Sequence, residues 1–163
     1  MHALDPAMRL DVVELRAAVI AVAPLFYAAG HRHHRACATA DAMDFVRARP
    51  VETRYDLIFS DLYSAFAMDP QQGTQTFLEN CAARLNDGGW LVLNYHDLPD
   101  ENSLLYHSLQ RIFGTVLFCV APSGNVIIYA TPACDAAAER AAQPAASSGE
   151  RCSAANSATC HAK

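Results

Sequence analysis

The order of apolar runs along the chain predicts an α/β fold, a mostly parallel sheet covered on both faces with an antiparallel hairpin at its C-terminal edge. Two observations carry this expectation. From residue 10 to residue 113, short β-rich runs alternate with helical stretches. The last two β-rich runs then flank Pro122-Ser123-Gly124, a connection too short for a crossover. Hydrophobic residues make up 52% of the 163, enough to build one core.

Each element has its own signal. Leu10–Glu14 (LDVVE) is a short β-rich run. Leu15 to about Tyr27 is helical by composition, and Pro24 should kink or end it. Arg35–Thr39 reads as a second strand, and Asp41 as the cap of a helix running through Arg47. Tyr55–Ser60 reads as a buried strand. Thr74–Leu85 reads as an amphipathic helix with Phe77, Leu78, Cys81, Ala82 and Leu85 on its apolar stripe. Asn86-Asp87-Gly88-Gly89 is a turn, with Gly89 at the position where positive φ is cheap. Trp90–Tyr95 follows as a strand and Asn102–Phe113 as a helix, with Leu105, Leu109, Ile112 and Phe113 on one side. Thr115–Val120 and Asn125–Ala130 form the hairpin. Phe59 and Trp90 are expected in the core.

These elements place a folded domain at residues 1–132. From Ala133 to Lys163 there is no Leu, Ile, Val, Met, Phe, Tyr or Trp. Such a segment cannot bury enough apolar surface to offset its ordering entropy. It is expected to be disordered, with at most a transient helix over Asp135–Ala142.

Charge and composition exclude several classes. The 12 Lys and Arg against 17 Asp and Glu give a net charge of -5 with no basic stripe, which argues against nucleic acid and against an anionic membrane as partners. The longest apolar stretch, Ala17 to Gly30, is too short to span a bilayer. No basic region precedes an apolar one at the N-terminus. The six cysteines form no C-x-x-C pair and read as reduced thiols of a cytoplasmic protein. His31-Arg32-His33-His34 reads as a solvated loop, and Cys152 and Cys160-His161 match no zinc spacing, so no metal is expected. Ser60 and Ser64 lack the context of a nucleophile elbow. His96-Asp97 reads as loop polarity within reach of a cleft.

Ligands of open α/β sheets sit beyond the carboxyl ends of the strands. Three acids fall there: Glu14, Asp41 and Asp61. A carboxylate can accept from both hydroxyls of a ribose or from the exocyclic amine of an adenine, and it complements a cationic centre. The three together suit an adenosyl ligand with a positive sulfur. Each also has a plainer reading: Glu14 as a helix start, Asp41 as an N-cap and Asp61 as a solvated turn acid.

The segments around these acids resemble the spermidine synthase family. "VVELRAAVIAVA" looks like that family's second strand and following helix. "ADAMDFV" looks like its adenine-reading segment, and "YDLIFSDLYS" like the strand that ends in its D-S-S-D motif. "FLENCAARLNDGGWLVLN" and "APSGNVIIYA" are similar to its helix, turn and fifth strand and to its Y-P-S-G hairpin. The resemblance covers about residues 10–130. It implies a Rossmann-like fold of the class I methyltransferase type and a small-molecule substrate. The ligand would be S-adenosylmethionine or decarboxylated S-adenosylmethionine. It makes Glu14 the ribose acid, Asp41 with Ala42 the adenine contact, and Asp61 the catalytic acid of aminopropyl transfer in polyamine biosynthesis.

The departures from the family leave alternatives open. Ser64 stands at the family's second motif acid and Ala121 at the tyrosine before P-S-G. A non-catalytic homologue, or a methyltransferase with a different acceptor, would carry the same features. None of the seven glycines makes a G-x-G. The family's first strand with its glycine-rich loop, and its small N-terminal β domain, find no match, so the fold is expected to be N-terminally truncated. A truncated sheet leaves unpaired edges, which keeps a homo-oligomer open. It also predicts poor binding of the adenosyl ligand until a β-α unit of roughly 30 residues is restored upstream.

Overall fold

The computed structural model describes residues 8–26, 35–64 and 67–133. The histidine cluster at 31–34 and the segment after Ala133, with Cys134, Cys152 and Cys160, lie outside the described residues. The chain divides into two compact units between Pro50 and Val51.

The first unit is a β-α-β-α arrangement: β1 Leu10–Glu14, α1 Ala17–Phe26, β2 Arg35–Thr39 and α2 Ala42–Ala48. β1 and β2 pair in parallel, from Leu10 opposite Arg35 to Glu14 opposite Thr39. Helix α1 is described as far as Phe26 and continues through Pro24. Asp41 caps α2, its Oδ1 accepting from the Asp44 backbone N–H at 3.1 Å. Arg49, just past α2, donates to Asp11 Oδ2 at 2.6 Å and stacks over the Phe45 ring at 4.0 Å. That pair of contacts ties the end of α2 to β1.

The second unit holds β3 Tyr55–Ser60, a 3-10 turn Pro70–Gly73, α3 Gln75–Ala82, β4 Leu85–Tyr95, α4 Leu104–Ile112, β5 Thr115–Val120 and β6 Val126–Thr131. Its sheet has the order β3-β4-β6-β5. β3 runs parallel to β4, β4 antiparallel to β6, and β5 and β6 form the antiparallel hairpin. The architecture is α/β as expected, with a mixed sheet in this unit.

The registers explain which side chains are buried. Ile58 and Ser60 of β3 stand beside Leu91 and Leu93 of β4, which stand beside Ala130 and Ile128 of β6. This face is the core, with Leu91, Leu93, Ile128 and Ala130 all 0% exposed. α3 and α4 pack on each other and contribute Phe77, Leu78, Cys81, Leu105 and Leu109, all buried. The opposite face carries Leu57, Phe59, Leu117 and Tyr129, all exposed. The expectation of a buried Tyr55–Ser60 with Phe59 in the core is therefore corrected. β3 lies at the edge of its sheet, and Phe59, on the face opposite Ile58 and Ser60, is 54% exposed. Trp90, on the same face, is half-buried.

One boundary moves for a reason visible in the ladder. Helix α3 stops at Ala82, and Leu85 opens β4 by pairing with Tyr55. The next pair is Leu57 with Trp90, so the stretch Asn86–Gly89 is extra length taken up by an irregularity within the strand. Gly88, not Gly89, has the positive φ, at 73°. Gly89 is needed for space: a Cβ there would lie 2.9 Å from both the Asn86 and the Tyr55 carbonyl oxygens.

Candidate functional site

In the first unit, Glu14 and Asp41 share one end of the sheet. Glu14 closes β1, and its carbonyl accepts from the Ala40 N–H at 3.2 Å, directly before Asp41. The Glu14 carboxylate is engaged locally. Its Oε1 accepts from the Arg16 backbone N–H and from the Arg16 guanidinium, both at 3.0 Å. Partial burial pushes this carboxyl up, but the two Arg16 hydrogen bonds and the nearby positive charge outweigh it, so Glu14 titrates below the ordinary range. Glu14 is held ionised, and among the described residues no hydrogen bond engages its second oxygen. Asp41 has one oxygen committed to the α2 cap, and Ala42 is the first residue of that helix.

In the second unit, Asp61 follows β3 directly and is exposed. Its Oδ1 accepts from Asn94 Nδ2 at 2.8 Å. Asn94 sits near the carboxyl end of β4, the parallel neighbour of β3. Asn94 Oδ1 in turn accepts from Asn125 Nδ2 at 2.9 Å, reaching in from the β5–β6 turn. Among the described residues no Lys or Arg forms an ion pair with Asp61.

Below this chain of carboxamides lies Gln72, 0% exposed in the 3-10 turn. Its Oε1 accepts from Ser60 Oγ at 2.9 Å and from the Leu62 N–H at 3.4 Å, and its Nε2 donates to the Asn94 carbonyl at 3.1 Å. Sequence reading missed Asn94, Asn125 and Gln72. The only trace of Asn94 is a polar residue closing an apolar run. Gln72 sits in Pro70-Gln71-Gln72-Gly73, where no periodicity marks it as buried.

Tyr63 and Tyr95 complete the surroundings. The Tyr63 hydroxyl is buried and has no hydrogen-bond partner among the described residues. Burial raises its pKa, helped by the negative charges of Asp61 and Asp97 and by Tyr95. Tyr95 is raised by burial and by Asp97. Ser64 spends its hydroxyl on a local turn, donating to the Ala67 carbonyl at 2.9 Å and accepting from the Ala67 N–H at 3.0 Å. Ala121 closes the hairpin turn through its backbone. His96 and Asp97 are exposed, 3.9 Å apart. Among the described residues no group of three His, Cys, Asp or Glu could hold a metal, and no helix is long and apolar enough to cross a membrane. A groove lined by Gly88, Trp90, Gly114 and Pro132 opens at the other end of the sheet, away from Asp61.

No protein-family profile matches the chain, and no curated protein sequence matches it either. Solved structures do share its fold. Human methyltransferase-like protein 13, solved with SAH, is 19% identical with a TM-score of 0.68, over 83% of this chain and 66% of that one. A probable spermidine synthase from Corynebacterium glutamicum is 21% identical with a TM-score of 0.66, over 80% of this chain and 50% of its own. A spermidine synthase solved with the transition-state analogue AdoDATO is 19% identical with a TM-score of 0.62, over 80% of this chain and 49% of its own. The chain thus spans from about half to about two-thirds of the length of these proteins.

Proposed function

We propose that this chain, which has the Rossmann-like fold of class I methyltransferases, binds an adenosyl sulfonium ligand, S-adenosylmethionine or its decarboxylated form, and that it is the nucleoside-binding part of a transferase. The observation that carries this reading is the placement of acids at strand ends. Glu14 and Asp41 share the carboxyl end of one parallel pair, and Asp61 stands at the carboxyl end of β3. Each unit by itself offers chemistry that suits part of such a ligand. Glu14 is kept ionised with an oxygen to spare for ribose hydroxyls, and Asp61 is an acid without a cationic partner among the described residues. Two of the structures with this fold were solved with SAH or AdoDATO.

In the transferase reading, an acceptor amine loses a proton and its lone pair attacks the carbon next to sulfur. The carbon–sulfur bond breaks and its electrons stay on sulfur. In this reading Asp61 takes the proton or steadies the amine. A methyltransferase with an acceptor other than a polyamine is favoured over aminopropyl transfer by a specific observation. Ser64 is consumed in its turn and Ala121 offers only backbone, so two groups that would hold a polycation are replaced.

Saturation-transfer NMR with S-adenosylhomocysteine on the folded chain tests the binding step and detects weak ligands. Adenosine protons should receive saturation in the wild type and lose it in Glu14→Ala. No transfer to any adenosyl ligand from the folded chain would overturn the reading. Putrescine should show no saturable binding in the micromolar range, and calorimetry that found it would restore the polyamine acceptor.

A further inference from the structure

A fully buried glutamine is costly unless its amide is satisfied, because both the side-chain order and the desolvation must be offset. Gln72 meets that condition by bonding three groups with one amide, and the identity of those groups is informative. Ser60 and Leu62 flank Asp61 in the chain. Asn94 is the residue whose side chain donates to Asp61. Among the described residues Gln72 makes no hydrogen bond to Asp61, yet it holds both of its neighbours and the backbone of its donor.

Asn125 supplies the second constraint. A carboxamide can flip and exchange its oxygen for its nitrogen. Asn125 donates to Asn94 Oδ1, so Asn94 must present Nδ2 to Asp61. A flipped Asn94 would set its oxygen against the carboxylate and its NH₂ against another NH₂. The Asn125 backbone is held by the hairpin turn, where its main-chain carbonyl accepts from the Ala121 N–H at 2.8 Å beside Gly124 at φ 94°.

We infer that Gln72, Asn94 and Asn125 form an uncharged positioning set for Asp61: Gln72 fixes the carboxyl ends of β3 and β4, and Asn125 fixes the flip of Asn94, so that one Asp61 oxygen is bound and the carboxylate keeps its charge for the ligand. A guanidinium in the place of Asn94 would hold the same oxygen but would neutralise the acid. This inference takes its functional meaning from the reading of Asp61 as the acid facing the acceptor, while the geometry it tests does not depend on any ligand.

The test is NMR of the Asn94 side-chain amide in the whole 163-residue chain. In the wild type its two protons should be well separated and slow to exchange. Asn125→Ala, a change in a half-buried turn, should speed their exchange by about fivefold, the scale set by loss of a neutral hydrogen bond of about 1 kcal/mol. Gln72→Glu adds a readout that a merely structural role would not move. Protonated, a buried glutamic acid can still accept from Ser60 and donate to the Asn94 carbonyl; ionised, it cannot donate. Compared with the wild type at the same pH, exchange should therefore be equally slow at about pH 5.5 and clearly faster at about pH 8, because burial raises a carboxyl's pKa into that interval. Fast exchange in the wild type, or slow exchange unchanged in Asn125→Ala and at both pH values in Gln72→Glu, would overturn the inference. S-adenosylhomocysteine binding is scored separately, so a failed ligand reading and a failed positioning set give different results.

Discussion

Asn94 and Asp61 meet across the β3–β4 ladder, amide nitrogen to carboxylate oxygen at 2.8 Å, at the carboxyl ends of two parallel strands. The contact is partly accessible and uncharged on one side. It holds the acid without quenching it, which separates Asp61 from Glu14, whose oxygen is shared with the Arg16 guanidinium.

That difference predicts different phenotypes. Asp61→Asn should cut transfer far more than nucleoside binding, since the amide keeps the shape and loses the proton acceptor. Glu14→Gln should weaken nucleoside affinity first, by about tenfold or more, the scale of a hydrogen bond to a charged group. Ligand titrations run beside turnover assays check both. Equal loss of binding and turnover in Asp61→Asn would make Asp61 a binding residue. Unchanged affinity in Glu14→Gln would remove the ribose assignment.

Tyr63 predicts a stability effect with a pH signature. A buried hydroxyl without a partner costs about 1–3 kcal/mol, so Tyr63→Phe should leave stability near neutral pH unchanged or raise it. Because the folded-state pKa of Tyr63 lies above the ordinary tyrosine value, its contribution is fully present below pH of about 10 and is lost as the pH climbs through the raised value. Tyr63→Phe should remove that part of the alkaline loss. Urea midpoints for both proteins, from neutral pH upward, check the sign. A fall of more than about 1 kcal/mol near neutral pH would mean that the hydroxyl has a partner.

The three described cysteines should react in two classes. Burial pushes the Cys81 thiol up to about 12, and Cys81 is 0% exposed on the core side of α3. Cys37 and Cys119 are exposed. Since the thiolate is the nucleophile, an alkylating reagent at mildly alkaline pH should label Cys37 and Cys119 in the folded chain and reach Cys81 only after denaturation. Mapping the labelled peptides decides it, and early labelling of Cys81 would show that α3 opens readily.

Much of this fold is legible in the chain because its signals are local. β1, β2, β3 and β5 fall on the residues that their β-rich runs marked, and Asp41 caps α2 through its own side chain. What escaped depends on partners distant in sequence. Leu85 continues the apolar stripe of α3, yet it pairs with Tyr55, 30 positions earlier, and the ladder overrides the helical period. Phe59 is as apolar as any core residue, and neither composition nor alternation reveals that it stands on the exposed face of the edge strand β3. The same holds for the candidate site. Each acid could be placed at a strand end from local pattern alone. The carboxamides that hold Asp61 come from positions 72, 94 and 125, and only the folded topology joins them.

The last prediction concerns Gly88 and Gly89, adjacent residues with opposite requirements. Gly88 needs its conformation: φ is 73° and nothing lies within 4 Å of where a Cβ would stand. Gly88→Ala should therefore cost about 1–2 kcal/mol, the penalty of a left-handed backbone for an L-residue. Gly89 needs its space. A Cβ there would lie 2.9 Å from the carbonyl oxygens of Asn86 and Tyr55, which are backbone atoms fixed by the irregular start of the β3–β4 pairing. Neither can rotate away as a flexible side chain would, so the strands must shift. Overpacking of this kind costs typically about 1–3 kcal/mol and more when the neighbours are rigid, so Gly89→Ala should be the worse of the two. The damage should also travel. β4 carries Asn94 five residues further along, so a displaced β4 should loosen the amide contact to Asp61. Urea midpoints rank the stabilities, and exchange of the Asn94 side-chain amide reports the distant effect. Gly88→Ala should leave that exchange slow and Gly89→Ala should quicken it. The reverse order in either measurement would show that the β3–β4 pairing is not what aligns the two residues.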